Sequence, residues 1–113
     1  MSGALNIFKT VTANVTTTPT SVYSTPLGYS AVVLLAQFSN IDTGNSVQIT
    51  ANLARSGADV STVIVQNISI PVDDAINVLT GRLIMTYGDS FEISASADAS
   101  SQLTLSLLET LVG

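Results

Sequence analysis

The stretch "SVQITANLA", Ser46 to Ala54, alternates without a break: Val47, Ile49, Ala51 and Leu53 fall on one side, Gln48, Thr50 and Asn52 on the other. Period-two alternation marks a strand with one face on a core and one in water, and such strands belong to antiparallel sheets. Turn chemistry brackets it. "IDTGN" precedes, with Asp42, Gly44 and Asn45 suited to a tight turn, and "RSGAD" follows.

The same grammar runs outward in both directions. Toward the carboxyl end come "VSTVIVQNISI", then "PVDDAINVLTG", which lacks alternation and reads as a loop with one helical turn ended by Gly81. "RLIMTY" reads as a strand and Gly88-Asp89 as a turn; "SFEISASA" then alternates with Phe91, Ile93 and Ala95 inward. "DASS" turns the chain into "QLTLSLLETL", where Leu103, Leu105 and Leu107 share a face. Toward the amino end, "PTSVYSTPLGY" is bounded by Pro19 and Pro26; proline cannot donate to a ladder, so this piece is an edge strand or a bend. "LNIFKTVTANVTTT" comes first, with Leu5, Ile7 and Val11 on one side. Seven or eight strands with tight turns and no long helix predict an all-β chain. The expected fold is a single antiparallel β-sandwich domain over residues 1–113, of jelly-roll or immunoglobulin-like type, with a small barrel as the other arrangement.

One stretch breaks the pattern. In "GYSAVVLLAQFSN", Gly28 to Asn40, the residues Val32, Val33, Leu34 and Leu35 place apolar side chains on both faces. Alternation lapses again at Val63 to Val65 and at Leu107-Leu108. Two readings compete. These are central strands whose second face lies under a loop or a bulge, or the second face packs on identical neighbours in a symmetric oligomer. Composition favours the second reading. Only 10% of the residues are charged, against about 25% in typical soluble domains, while Ser and Thr make up about a quarter. Interface cores are depleted in charge in the same way. Val32, Val33, Leu34, Leu35, Val63, Val65 and Leu108 are therefore the candidate contact residues.

The net charge of −5 rests on eight carboxylates against Lys9, Arg55 and Arg82. Three scattered cations cannot neutralise a run of phosphates, so neither nucleic acid nor an anionic membrane is an expected partner. No apolar run approaches the roughly 20 residues of a membrane span, and "MSGALNIFKT" lacks the pattern of a signal peptide. With no histidine and no cysteine, the commonest general base, the thiolate nucleophile and thiolate metal sites are all missing. Lys9 beside Thr10 reads as a solvated strand pair. Carboxylates for glycoside chemistry would come from Asp73, Asp74, Asp89, Glu92, Asp98 and Glu109, yet the chain has no tryptophan platform. Asp42, Asp59, Asp89 and Asp98 sit beside turn residues and read as turn or cap groups. "IDTGN" and "VDDA" hold oxygens for calcium without an established loop spacing. Neither an enzyme nor a cofactor is expected. Asn14-Val15-Thr16 and Asn67-Ile68-Ser69 fit the glycosylation pattern at the level of chance in so hydroxyl-rich a chain.

Taken together, the strand text resembles a family of small structural proteins of tailed bacteriophages. The resemblance is carried by "TTTPTSVYSTPLGYSAVVLLAQFSN" and by the text from "ITANLARSGADV" to "SQLTLSLLETL", nearly the whole chain. Its recurring elements are Tyr23, Pro26 and Gly28, then Leu79-Thr80-Gly81, then Gly88-Asp89-Ser90. The resemblance implies a virion component without catalytic residues. The expected role is a trimeric capsid decoration (cement) protein that bridges major capsid protein subunits and stabilises the head. The alternative is a tail, neck or fibre component, or an adhesin domain that binds a host glycan or receptor. For that alternative, Tyr23, Tyr29 and Tyr87 are the candidate turn or end-loop contacts.

Overall fold

The structure is a computed structural model that describes residues 6–57 and 61–112. The expectations for Leu5 and Asp59 lie outside the described residues. The described residues form nine strands: β1 (Asn6–Asn14), β2 (Thr20–Ser24), β3 (Tyr29–Asn40), β4 (Val47–Ala54), β5 (Thr62–Ile70), β6 (Ala75–Asn77), β7 (Leu83–Met85), β8 (Ser90–Ala95) and β9 (Ser101–Leu111). The described residues form no helix.

The strands make two antiparallel sheets, in the order β1-β9-β3-β6 with β7 also on β3, and β2-β8-β4-β5. β6 pairs with residues 37–39 of β3 and β7 with residues 31–33, so the two short strands share one edge position. That leaves eight positions, as expected. In an immunoglobulin-type sandwich the first two strands belong to one sheet. Here β1 and β2 lie in opposite sheets and the chain keeps crossing between them, which selects the jelly roll.

Each sheet turns one face inward. Val33, Phe38, Leu103, Leu105 and Leu107 from the first sheet meet Val47, Ile49, Leu53, Phe91 and Ile93 from the second in one core. Burial of each large side chain stabilises the fold by about 1.5–3 kcal/mol. The alternation read along β4, β8 and β9 is therefore the core itself. Ile7 and Val11 also share the inward side, opposite Glu109 and Leu105.

"PVDDAINVLTG" departs from expectation. Instead of a helical turn, Pro71 to Asp74 close a tight turn in which the Asp74 amide donates to the Pro71 carbonyl at 3.2 Å. Asp73 adopts a φ of 62° there. Ala75–Asn77 then pair with β3. Three residues are too few to display alternation, although Ile76 packs on the core as a strand residue should.

Candidate functional site

The double-sided run is a β-bulge. Val33 pairs with Leu107 and Leu35 with Ser106, so Leu34 is an extra residue without a partner on β9. Before the bulge Ala31 and Val33 face the core; after it Ala36 and Phe38 do. A bulge inserts one residue and shifts the inward phase by one. Val32 and Leu35 consequently both face outward, half-buried, with Leu34 41% exposed between them. The neighbouring edge adapts to the same defect. β6 and β7 break apart beside it, the Ala36 amide donates to Asn77 Oδ1 at 3.2 Å, and the Val78 amide donates to the Ala36 carbonyl at 3.0 Å.

Val33, expected as a contact residue, is instead fully buried and faces the core, because it precedes the inserted Leu34. Val63 is exposed and Val65 half-buried against the core, both on β5 of the second sheet, away from the others. Their lapse of alternation coincides with register shifts in the β4–β5 ladder. Val32, Leu34, Leu35 and Leu108 do come together on the outside of the first sheet.

Two residues that the sequence did not single out complete that surface. Phe8 pairs with Leu108, Leu108 with Val32, and Val32 with Ile84, a row of apolar side chains across four strands. Phe8 is 77% and Ile84 65% exposed. A signal was present in each case: Phe8 lies between the inward positions Ile7 and Lys9, and Ile84 sits inside the unbroken apolar triplet "LIM". Around the row the outward positions of β1 and β9, among them Asn6, Thr10, Thr12, Thr104 and Ser106, carry no charge, and Arg82 is exposed just before β7. A shallow depression on the same flank is lined by Thr12, Asn14, Gln102 and Thr104, where Gln102 Nε2 donates to Asn14 Oδ1 at 3.1 Å.

Glu109, Asp89, Asp42 and Asp98 are each held by local partners. Glu109 takes the inward position after Leu107 and is 2% exposed. Its carboxylate lies 3.1 Å from Lys9 Nζ and accepts from the Tyr23 hydroxyl at 2.6 Å. Burial first, and then the neighbouring carboxylate, push the Tyr23 phenol above its ordinary pKa. Asp89, also buried, accepts from the Ser56 and Thr86 amides at 3.0 Å and lies 3.2 Å from Arg55 Nε. Burial works to raise its pKa, but the two amides and the Arg55 charge outweigh it and hold the carboxyl below its ordinary value. Asp42 accepts from the Gly44 and Asn45 amides, and the Gly44 bond leads in lowering its pKa. Asp98 accepts from the Thr17 amide at 2.8 Å. These are the turn roles expected of Asp42, Asp89 and Asp98. Among the described residues no three acidic groups gather where they could hold a metal ion.

Of the three tyrosines, Tyr23 is buried on β2, Tyr29 is half-buried at the start of β3, and Tyr87 is 56% exposed beside the turn at Gly88. Tyr23 is thus a core residue rather than an end-loop contact, because its hydroxyl is taken by Glu109.

No protein-family model and no curated protein sequence matches this chain. Among solved structures it is similar to that of Bacillus endospore appendages, which form a family of disulfide-linked pili. The TM-score is 0.59 at 12% identity, over 96% of this chain and 88% of that one. It is more distantly similar to a pentameric capsid protein isolated from metagenomic phage sequences, with a TM-score of 0.44 and 16% identity over 87% of this chain and 63% of that one. The structure of infectious bursal disease virus Gt strain gives a TM-score of 0.39 and 14% identity, over 96% of this chain and 33% of that one. The appendage likeness defines a class by fold alone: an all-β, double-sheet sandwich.

Proposed function

We propose that this chain is a non-catalytic structural subunit that associates with copies of itself through the outer face of its first sheet. The observation that carries the reading is the row Phe8, Leu108, Val32 and Ile84, set among uncharged outward positions of β1, β9 and β3 in a chain of net charge −5. Two copies of an acidic protein repel one another, and the repulsion is least where they meet through a surface without charge. The apolar row supplies the attraction. The appendage pili are disulfide-linked; this chain has no cysteine, so its own association is non-covalent or rests on another chemistry.

The resemblance to small structural proteins of tailed bacteriophages supplies the setting. In this reading the chain is a virion component, a decoration protein that trimerises on the head and bridges major capsid protein subunits. Three copies of one weak contact would hold it there by avidity. Co-expression with the major capsid protein of its own particle tests the setting. Electron microscopy should show regular knobs on the shells. Bare shells, with the chain left in the supernatant, contradict a place on the head.

A further inference from the structure

We infer that β1 is a pairing edge, and that its occupant is β1 of a second copy, antiparallel about a two-fold axis through Thr10. The inference rests on the self-association reading and deepens it by naming the backbone contact.

Four edge positions end the two sheets. β2 carries a register shift between Ser21 and Tyr23 and is flanked by Pro19 and Pro26. β5 carries two shifts and a residue at positive φ, Asn67. The edge beside β3 is split into β6 and β7. Bulges, prolines, short strands and charged side chains, Lys above all, are devices that block edge pairing. β1 has no bulge and no proline, and its one charge, Lys9, is held at 3.1 Å by Glu109 of the neighbouring strand. The strand pairs residue for residue with β9 from Asn6 to Asn14, without a shift.

The direction of its free amides follows from one bond. The Val15 amide donates to the Ser101 carbonyl of the β9 side at 3.0 Å, continuing the same register. Along an antiparallel strand the hydrogen-bonded positions alternate. Lys9, Val11 and Ala13 therefore bond to β9, and the amides and carbonyls of Asn6, Phe8, Thr10, Thr12 and Asn14 point off the sheet.

Charge and the length of the paired edge together select the register. A two-fold axis through Lys9 would set two ammonium groups opposite each other, which is unfavourable. An axis through Phe8 pairs only Asn6, Phe8 and Thr10 of the outward amides among the described residues. An axis through Thr10 pairs the whole edge: Phe8 faces Thr12 of the second copy, and Lys9 faces Val11 of the second copy. Every outward side chain brought to the seam is uncharged. The two first sheets become one, eight positions wide, and the outer face doubles in width. Main-chain groups make this contact, whereas side chains make the face contact, so both can operate in one array.

Amide hydrogen exchange on the wild-type chain, read residue by residue with light scattering on the same samples, tests the inference. At concentrations where the protein is monomeric, Phe8, Thr10 and Thr12 should exchange fast, with Lys9, Val11 and Ala13 protected. In the associated protein the first three should slow at least tenfold. Thr10→Pro should stay folded and weaken association at least tenfold, and Val11→Pro should lose the fold. Association that leaves the Phe8, Thr10 and Thr12 amides fast overturns the edge and leaves the face reading standing, particularly where Ile84→Lys abolishes it. A chain that stays monomeric at every concentration overturns both.

Discussion

The Tyr23 hydroxyl on β2 donates to Glu109 Oε2 on β9 across 2.6 Å, and so ties one sheet of the sandwich to the other through a buried carboxylate. Lys9, its side chain 46% exposed, places Nζ 3.1 Å from the other oxygen.

Tyr23→Phe should therefore destabilise the chain by about 1.5–3 kcal/mol, the range for a hydrogen bond to a charged group. The effect depends on pH with a definite sign. The folded pKa of Tyr23 lies above the ordinary 10.0, so its contribution is fully present below pH 10 and is lost as pH rises beyond that. Urea denaturation at pH 7 and above pH 10 measures both. Equal slopes for wild type and Tyr23→Phe in the alkaline range would contradict the assignment.

Asp89 works at the opposite end of the scale. Its folded pKa lies below the ordinary 3.8, so its contribution is present above that value and is lost as pH falls below it. Asp89→Asn replaces an acceptor with a donor facing the Thr86 amide or the Ser56 amide. The variant should be about 1–3 kcal/mol less stable at pH 7 and lose less stability than wild type on acidification. Thermal unfolding between pH 7 and pH 3 reads the difference.

Two glycines separate backbone strain from crowding. Gly28 and Gly88 have φ of 85° and 87°. A Cβ at Gly28 would meet nothing within 4 Å, whereas one at Gly88 would lie 2.8 Å from Ser56 Cβ. Gly28→Ala should cost about 1–2 kcal/mol for the left-handed conformation alone. Gly88→Ala should cost more, because the Ser56 turn must move as well. Denaturant midpoints that coincide would refute the clash.

The bulge makes adjacent residues behave differently. Val33→Glu puts a charge into the core and should prevent folding. Leu35→Glu, one residue past the bulge and facing outward, should fold and associate more weakly. Because the outward positions of β1, β9 and β3 carry no charge, association of the wild type should change less than tenfold between low and high salt. Size-exclusion elution and circular dichroism of the two variants check the first pair of outcomes, and a salt series checks the last.

Most of the fold was legible because burial imposes period two. Val47 to Leu53, Phe91 to Ala95 and Leu103 to Leu107 declare their inward faces in the residue types alone. The bulge at Leu34 was not legible. A residue inserted into a strand yields the same run of apolar letters as a strand buried on both sides, and only the partner register on β9 tells them apart. β6 escaped for a related reason, since Ala75–Asn77 is shorter than one visible alternation. Phe8 and Ile84 show the limit most plainly. Each lies next to an inward residue, and their alignment with Leu108 and Val32 exists only once four strands are set side by side.

Sedimentation velocity of the wild type and of Ile84→Lys, over a hundredfold range of concentration, tests self-association through the outer face most directly. The wild type should shift from 11.7 kDa to a discrete multiple of that mass as concentration rises, and Ile84→Lys should stay monomeric while melting at the same temperature. A wild type that remains monomeric throughout, or an Ile84→Lys variant that assembles as readily, would contradict it.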